Sequence, residues 1–291
     1  MKKIVKGILT ILLMAVVYMI VNGIAFSVMP FTEWFKENSA GQSTNLVLTL
    51  LYMLWISGTM YFIAENAACK GGKLYLAVIG GVFFIQTFMT QIETIIFGSA
   101  FTGLGLRDVL LMVVGDLLSI SITGSLMILI VKRKYQESEE GTVSIDWKQF
   151  FKYLLINGLI YMVIYFVFGY FVAWKSEELR IFYSGSGVDN GFLDRLYVNF
   201  RDSAAIYPIQ YVRGMLFTVG VIPFMMIKWK HKYDFLIAVC AVFLCTAMGL
   251  MIPNFLFPDA VRLRHFVEML SSMTLFGVIT ATLMGRCRKQ D

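Results

Sequence analysis

The sequence predicts an all-α polytopic integral membrane protein of eight transmembrane helices, on three observations. Of 291 residues, 58% are hydrophobic and 15% charged, more apolar surface than a soluble domain could hide. The apolar residues gather in runs near the ~20 that a bilayer core requires. Thirteen of the fifteen lysines fall in loops on one side of those runs: Lys2, Lys3, Lys6, Lys70, Lys73, Lys132, Lys134, Lys148, Lys152, Lys228, Lys230, Lys232 and Lys289. By the positive-inside rule that side is cytosolic, and both termini lie there.

The first run follows MKKIVK. From Ile8 to Met29 it is 22 residues long, beyond the ~7–15 of a signal-peptide core, so it reads as a retained helix over 7–29. The next spans are 44–64, 74–97 and 109–131. These make a first transmembrane half, residues 1–134. The polar stretch 135–151 reads as a cytosolic linker. The second half, 152–291, holds spans 153–174, 207–227, 234–252 and 265–285, with a long outer loop at 175–206. In that loop GSG and DNG mark turns. After them Phe192, Leu196, Phe200 and Ala204 recur at helical spacing, which predicts an amphipathic helix on the outer membrane surface or capping the bundle.

The halves align as two parallel four-helix repeats. Residues 82–100 match 242–260 without gaps at five of nineteen positions, and GDLLS (115–119) matches VEMLS (267–271), setting Asp116 against Glu268.

Two loop features exclude other classes. The net charge of +6 is spread through short loops between apolar runs, which argues against nucleic acid as a partner. Cys69, Cys240, Cys245 and Cys287 form no CxxC pair, so neither a disulfide framework nor a zinc signature is expected. Seven arginines depart from the lysine pattern: Arg107, Arg180, Arg195, Arg201, Arg213, Arg262 and Arg264 lie outside or in the outer membrane half. They are either charges tolerated by short hairpins or a surface for an anionic small molecule or lipid headgroup. The lipid bilayer itself is the partner the composition requires.

The runs FRDSAAIYPIQYVRGMLF and RHFVEMLSSMTLFG resemble a pattern in uncharacterised bacterial multi-pass membrane proteins. The resemblance implies a bacterial cell membrane and no particular activity.

Ionisable groups inside spans are costly and need a partner or water. Glu93, Asp116, Arg213, His265 and Glu268 are placed in the outer half of the bilayer. Helical spacing groups His265, Glu268 and Ser272 on one stripe, with Asp116, Ser119 and Thr123, Gln86, Thr90 and Glu93, and Gln210 and Arg213 on three others. Four such stripes predict an outward-open cavity or interhelical polar contacts, with Arg213 paired to one carboxylate. Gly115, Ser119 and Thr123 form a small-xxx-small series that invites another helix, and Pro223 is expected to bend the sixth span. His231 reads as solvated.

HxxE alone is a weak metal signal, and Arg213 would oppose a cation, so no metal or cofactor is assigned. HExxH, GxSxG and a phosphate loop are all missing, and Glu139–Glu140 lies in a loop, unlike a membrane protease helix. The leading functional expectation is a transporter or solute-binding permease, with Glu93, Asp116, Gln210, Arg213, His265 and Glu268 as binding residues. The alternatives are an outer-leaflet enzyme using His265 as a base oriented by Glu268, and a scaffold or sensor binding a partner through loop 175–206.

Overall fold

The computed structural model describes residues 2–40, 45–101, 103–132 and 143–290. Its helices are α1 Lys2–Val28, α2 Glu33–Ala40, α3 Leu46–Asn66, α4 Gly72–Ile96, α5 Leu106–Lys132, α6 Trp147–Ala173, α7 Glu177–Ser184, α8 Phe192–Ser203, α9 Ile206–Met225, α10 Asp234–Met251 and α11 Asp259–Gly285. The protein is all-α, and α1, α3, α4, α5, α6, α10 and α11 are each long and apolar enough to cross a membrane. The sixth expected span, 207–227, falls on α9, which qualifies only when taken together with α8 across a 97° bend.

Several helices begin earlier than their apolar runs. An apolar run marks where lipid or core contact starts, whereas caps mark where the helix starts. Asp146 accepts from the Gln149 amide at 3.1 Å and starts α6 at Trp147, inside the stretch expected to be linker. At α3 the cap sets a later start: Asn45 accepts from the Leu48 amide at 3.1 Å, and the helix begins at Leu46, two residues after the expected 44. Helix α11 starts at Asp259, two turns before the expected 265. Its polar first turn holds because Arg262, buried, donates to the Leu250 and Met251 carbonyls and to Asp259. Residues 133–142, with Glu139–Glu140, lie outside the described residues. Immediately after them Val143–Ile145 (β1) pairs antiparallel with Arg288–Gln290 (β2), a contact the linker reading did not foresee.

Packing divides the bundle. α1 lies on α3 and α5, and α6 lies on α9 and α11, while α10 packs on both α11 and α3 and so joins the two groups. The small-residue series on α5 does receive a helix: a Cβ on Gly115 would stand 2.9 Å from the Phe26 ring of α1, and Ser119 and Thr123 are buried. A closer crossing, not foreseen, lies between α6 and α9. A Cβ on Gly214 would be 2.4 Å from Tyr161 Cβ and 3.0 Å from Gly158 Cα, so only glycine allows these backbones to meet.

Three spans are irregular. α9 breaks at Gly220–Val221 just before Pro223, which cannot donate to the turn behind it. α4 takes π geometry over Leu76–Gly81 and Phe84–Phe88, and α6 over Gly169–Ala173. A π turn holds an extra residue and re-aims the side chains around it.

The lysine-bearing loops meet at one end. Ala68 N–H donates to Lys228 O at 2.7 Å, Asp146 N–H to Cys287 O at 2.9 Å, and Lys3 pairs with Glu65 at 2.9 Å. His231 is exposed, as expected of a solvated residue, and Asp234 accepts from its amide at 2.8 Å and lies 3.0 Å from its Nδ1.

Candidate functional site

At the end opposite the lysines, α4, α6, α7, α8, α9 and α11 enclose a cavity of about 620 Å³. Its walls are largely aromatic, with Phe97, Tyr161, Tyr165, Tyr170, Trp174 and Tyr183 among them. Its polar points are Glu93, Arg195, Asn199, Ser203, His265, Glu268 and Ser272. The outer loop supplies the roof. Ser176 caps α7 through the Leu179 amide at 3.3 Å, and Gly185 ends α7 at φ 70°. The expected amphipathic helix is α8, but its inner face differs from the expected stripe. Phe192, Arg195, Leu196, Asn199 and Ser203 line the cavity, while Leu193, Tyr197 and Phe200 are exposed.

Beneath the cavity, Arg213 Nη2 donates to Glu93 Oε2 at 2.8 Å and Nη1 to Gln210 Oε1 at 2.8 Å. The Arg213 side chain is 2% exposed and that of Glu93 34%, so the cation is sealed between helices while its carboxylate reaches the cavity. Arg213 Nε and Gln210 Nε2 are buried without a hydrogen-bond partner among the described residues. The pair therefore stores donor capacity as well as joining α4 to α9.

On the facing wall His265, Glu268 and Ser272 do share one stripe of α11. Ser272 donates to Glu268 Oε1 at 3.3 Å, and His265 Nδ1 lies 3.7 Å from Glu268 Oε2. Tyr183 of α7, which sequence reasoning passed over, places its hydroxyl 3.0 Å from His265 Nε2. Burial, with Glu93 and Glu268 nearby, pushes the Tyr183 phenol well up, so it keeps its proton. Its hydroxyl is therefore a neutral hydrogen-bonding group on Nε2, while the other ring nitrogen, Nδ1, faces Glu268. The only cue in the sequence was the short amphipathic run EELRIFYS after a capping serine.

Asp116 does not join this site. It accepts from Asn22 Nδ2 at 3.3 Å and from Thr87 Oγ1 at 3.1 Å; Thr87 also bonds Gln86, and Gln86 bonds Tyr52. The expected Gln86–Thr90–Glu93 stripe is split by the π turn at Phe84–Phe88. Gln86 turns to α3 and Thr87 to α5, Thr90 bonds the Gln86 carbonyl, and Glu93 turns to α9.

The outer arginines are mostly spent on the fold. Arg107 donates to Pro30 O, Arg180 to Trp174 O and Gly187 O, Arg262 as above, and Arg201 to its neighbour Asp202. Arg195 is different: it stacks on Trp174 at 3.9 Å inside the cavity. The four cysteines are free thiols. Among the described residues no three of His, Cys, Asp and Glu come together as a metal site.

Comparisons with known protein families, curated proteins and solved structures find no match to this chain.

Proposed function

We propose that the protein is a permease of a bacterial cell membrane that takes a small polar solute into the outer cavity, with its lysine-bearing end and both termini in the cytosol. The observation that carries this reading is the cavity's floor. It ends on an ion pair between α4 and α9, and both of those helices are irregular. Irregular backbone at membrane depth is tolerated where it lines a cavity, and such helices recur at transporter binding sites. The ligand chemistry follows from the walls. Aromatic faces beside Glu268, which is paired with no Lys or Arg among the described residues, suit an organic amine or a zwitterion, and Arg195 stands ready for a second, anionic group.

The test uses purified protein in detergent and a thermal-shift panel of amines, zwitterions, carboxylates and uncharged sugars. Stabilisation by amines or zwitterions, lost in Glu268→Gln, is expected. In cells, Ser186→Cys should react with an impermeant thiol reagent and Ser144→Cys should not. No shift by any class, or a shift indifferent to Glu268→Gln, would overturn the reading.

One observation favours a second reading. The chain Tyr183–His265–Glu268 sets a phenol on a histidine whose other nitrogen faces a carboxylate, the arrangement of a base with its orienting group. A membrane enzyme acting at the outer leaflet would use His265 as that base.

A further inference from the structure

The cavity reading leaves one membrane carboxylate unused. Asp116 sits ten residues into α5, about 15 Å along its axis. Its oxygens accept from Asn22 of α1 and Thr87 of α4. The titratable groups that face it are Tyr18 of α1 and Tyr52 of α3, with Cys245 of α10 beyond Tyr52; among the described residues no Lys, Arg or His is paired with it. Neutral donors do not offset a full charge in a low-dielectric setting, so the carboxyl needs a cation of its own.

A second observation shows where that cation would travel. Among the described residues the hydroxyls of Ser57 and Thr123 are buried without a hydrogen-bond partner, although buried polar groups are rarely left so, and the buried Tyr18 is hydrogen-bonded to Tyr52. Tyr18, Ser57 and Thr123 belong to α1, α3 and α5, the three helices that pack on one another. All three lie toward the lysine-bearing end from the Asp116 cluster. Tyr18 precedes Asn22 by one turn on the outgoing α1. Ser57 and Thr123 follow Tyr52 and Asp116 on helices running back. Hydroxyls both donate and accept, which suits a proton and not a solute.

We infer that Asp116 is a proton-binding site inside the membrane, served through Tyr18, Ser57 and Thr123 from the lysine-bearing end. α4 carries Thr87 on this site and Glu93 on the cavity floor fewer than two turns apart, so loss of the proton from Asp116 strains the same helix that holds the Glu93–Arg213 pair. That last link rests on the permease reading; the proton site does not.

The experiment is infrared titration of the whole protein in lipid, following protonated carboxyl absorption. A band that titrates through the neutral range and is missing in Asp116→Asn is expected. Should that variant fail to fold, Thr87→Val serves instead: it removes a donor to the ionised form, so the midpoint moves to higher pH. Tyr18→Phe should slow the band's shift in deuterated buffer. A carboxyl that stays ionised, or protonated, through the whole range would overturn the site. A midpoint that Thr87→Val leaves in place would overturn the assignment to Asp116, and unchanged exchange in Tyr18→Phe would overturn the route. None of these readings depends on solute binding, so the permease proposal can fail without them, and they can fail without it.

Discussion

Asp116 and Glu268 each lie on a long helix that begins at the end opposite the lysines, yet they live in different surroundings. Asp116 is held by an amide and a hydroxyl from α1 and α4, in a region of buried hydroxyls where no Lys, Arg or His among the described residues is paired with it. Glu268 lines an open cavity beside a histidine, with an ion pair on the facing wall. The difference comes from the neighbours. In the first group α1 packs on α5 at Gly115 and leaves Asp116 half-buried between helices. In the second, the Gly158–Gly214 contact draws α6 and α9 together lower down, and the bend before α9 leaves the outer end open under α8. A carboxylate in a membrane helix thus becomes a dry site or a wet one according to which small residues its neighbours carry.

The largest effect should come from the cation that only the wet site has. Arg213 is sealed and Glu93 is its carboxylate. Removing one member of a buried pair costs about 3–5 kcal/mol, because the other is left charged and unmatched. Glu93→Gln should therefore lower stability in detergent by roughly that order, and Glu93→Gln with Arg213→Met should be more stable than Glu93→Gln alone. Additive losses in the double variant would show that Arg213 draws its support from Gln210 and the Tyr161 face instead. Asp116→Asn, which strands no cation, should cost far less.

The fold class was legible because it rests on composition and run length, which lipid dictates. Lysine placement was legible too, since the loops that carry it meet at one end. Helix ends were not, because they depend on caps such as Asp146 and on Arg262 reaching back to the carbonyls of α10. The site was half legible. His265, Glu268 and Ser272 share a stripe because α11 is a regular α-helix there. Glu93 and Gln86 do not, because π turns in α4 leave no mark in a pattern read at 3.6 residues per turn. Arg213 was correctly expected to have a carboxylate, but its partner, Glu93, could be chosen only in three dimensions.

A middling effect is expected at the phenol. Tyr183→Phe keeps the ring contacts to Phe97 and His265 but deletes the hydroxyl bonded to Nε2. The loss in stability should be about 1 kcal/mol, the net worth of one hydrogen bond. The informative readout is the His265 tautomer, followed by nitrogen NMR of labelled histidine. Loss of the Nδ1–H form in Tyr183→Phe is expected if the phenol sets the ring. An unchanged tautomer would mean that Glu268 alone orients it, which would weaken the catalytic reading and leave the permease reading untouched.

The smallest effect concerns the roof, and it separates the wet site from the dry one by pH. Lys175 pairs with Asp189 at 3.0 Å, and that lysine holds the Asp189 carboxyl below its usual range. The Ser176 hydroxyl does the same for Glu178. A carboxyl whose folded pKa is depressed adds stability above its unfolded pKa and loses it as pH falls through the folded one. Lys175, raised in turn by Asp189, keeps its charge throughout that acid window. Acid should therefore loosen the segment from Gly185 to Ser203 and leave the α6–α9 crossing as it was. Because the pair is exposed, the change should be slight and should shrink in high salt. Hydrogen exchange, corrected for the intrinsic pH dependence, reads it directly. Faster exchange confined to that segment, in Asp116→Asn as in the native chain, is expected, since the pair belongs to the roof alone. If the acid response vanished in Asp116→Asn, the roof would be answering to the proton site across α4, and the two regions would be one pH-sensitive unit.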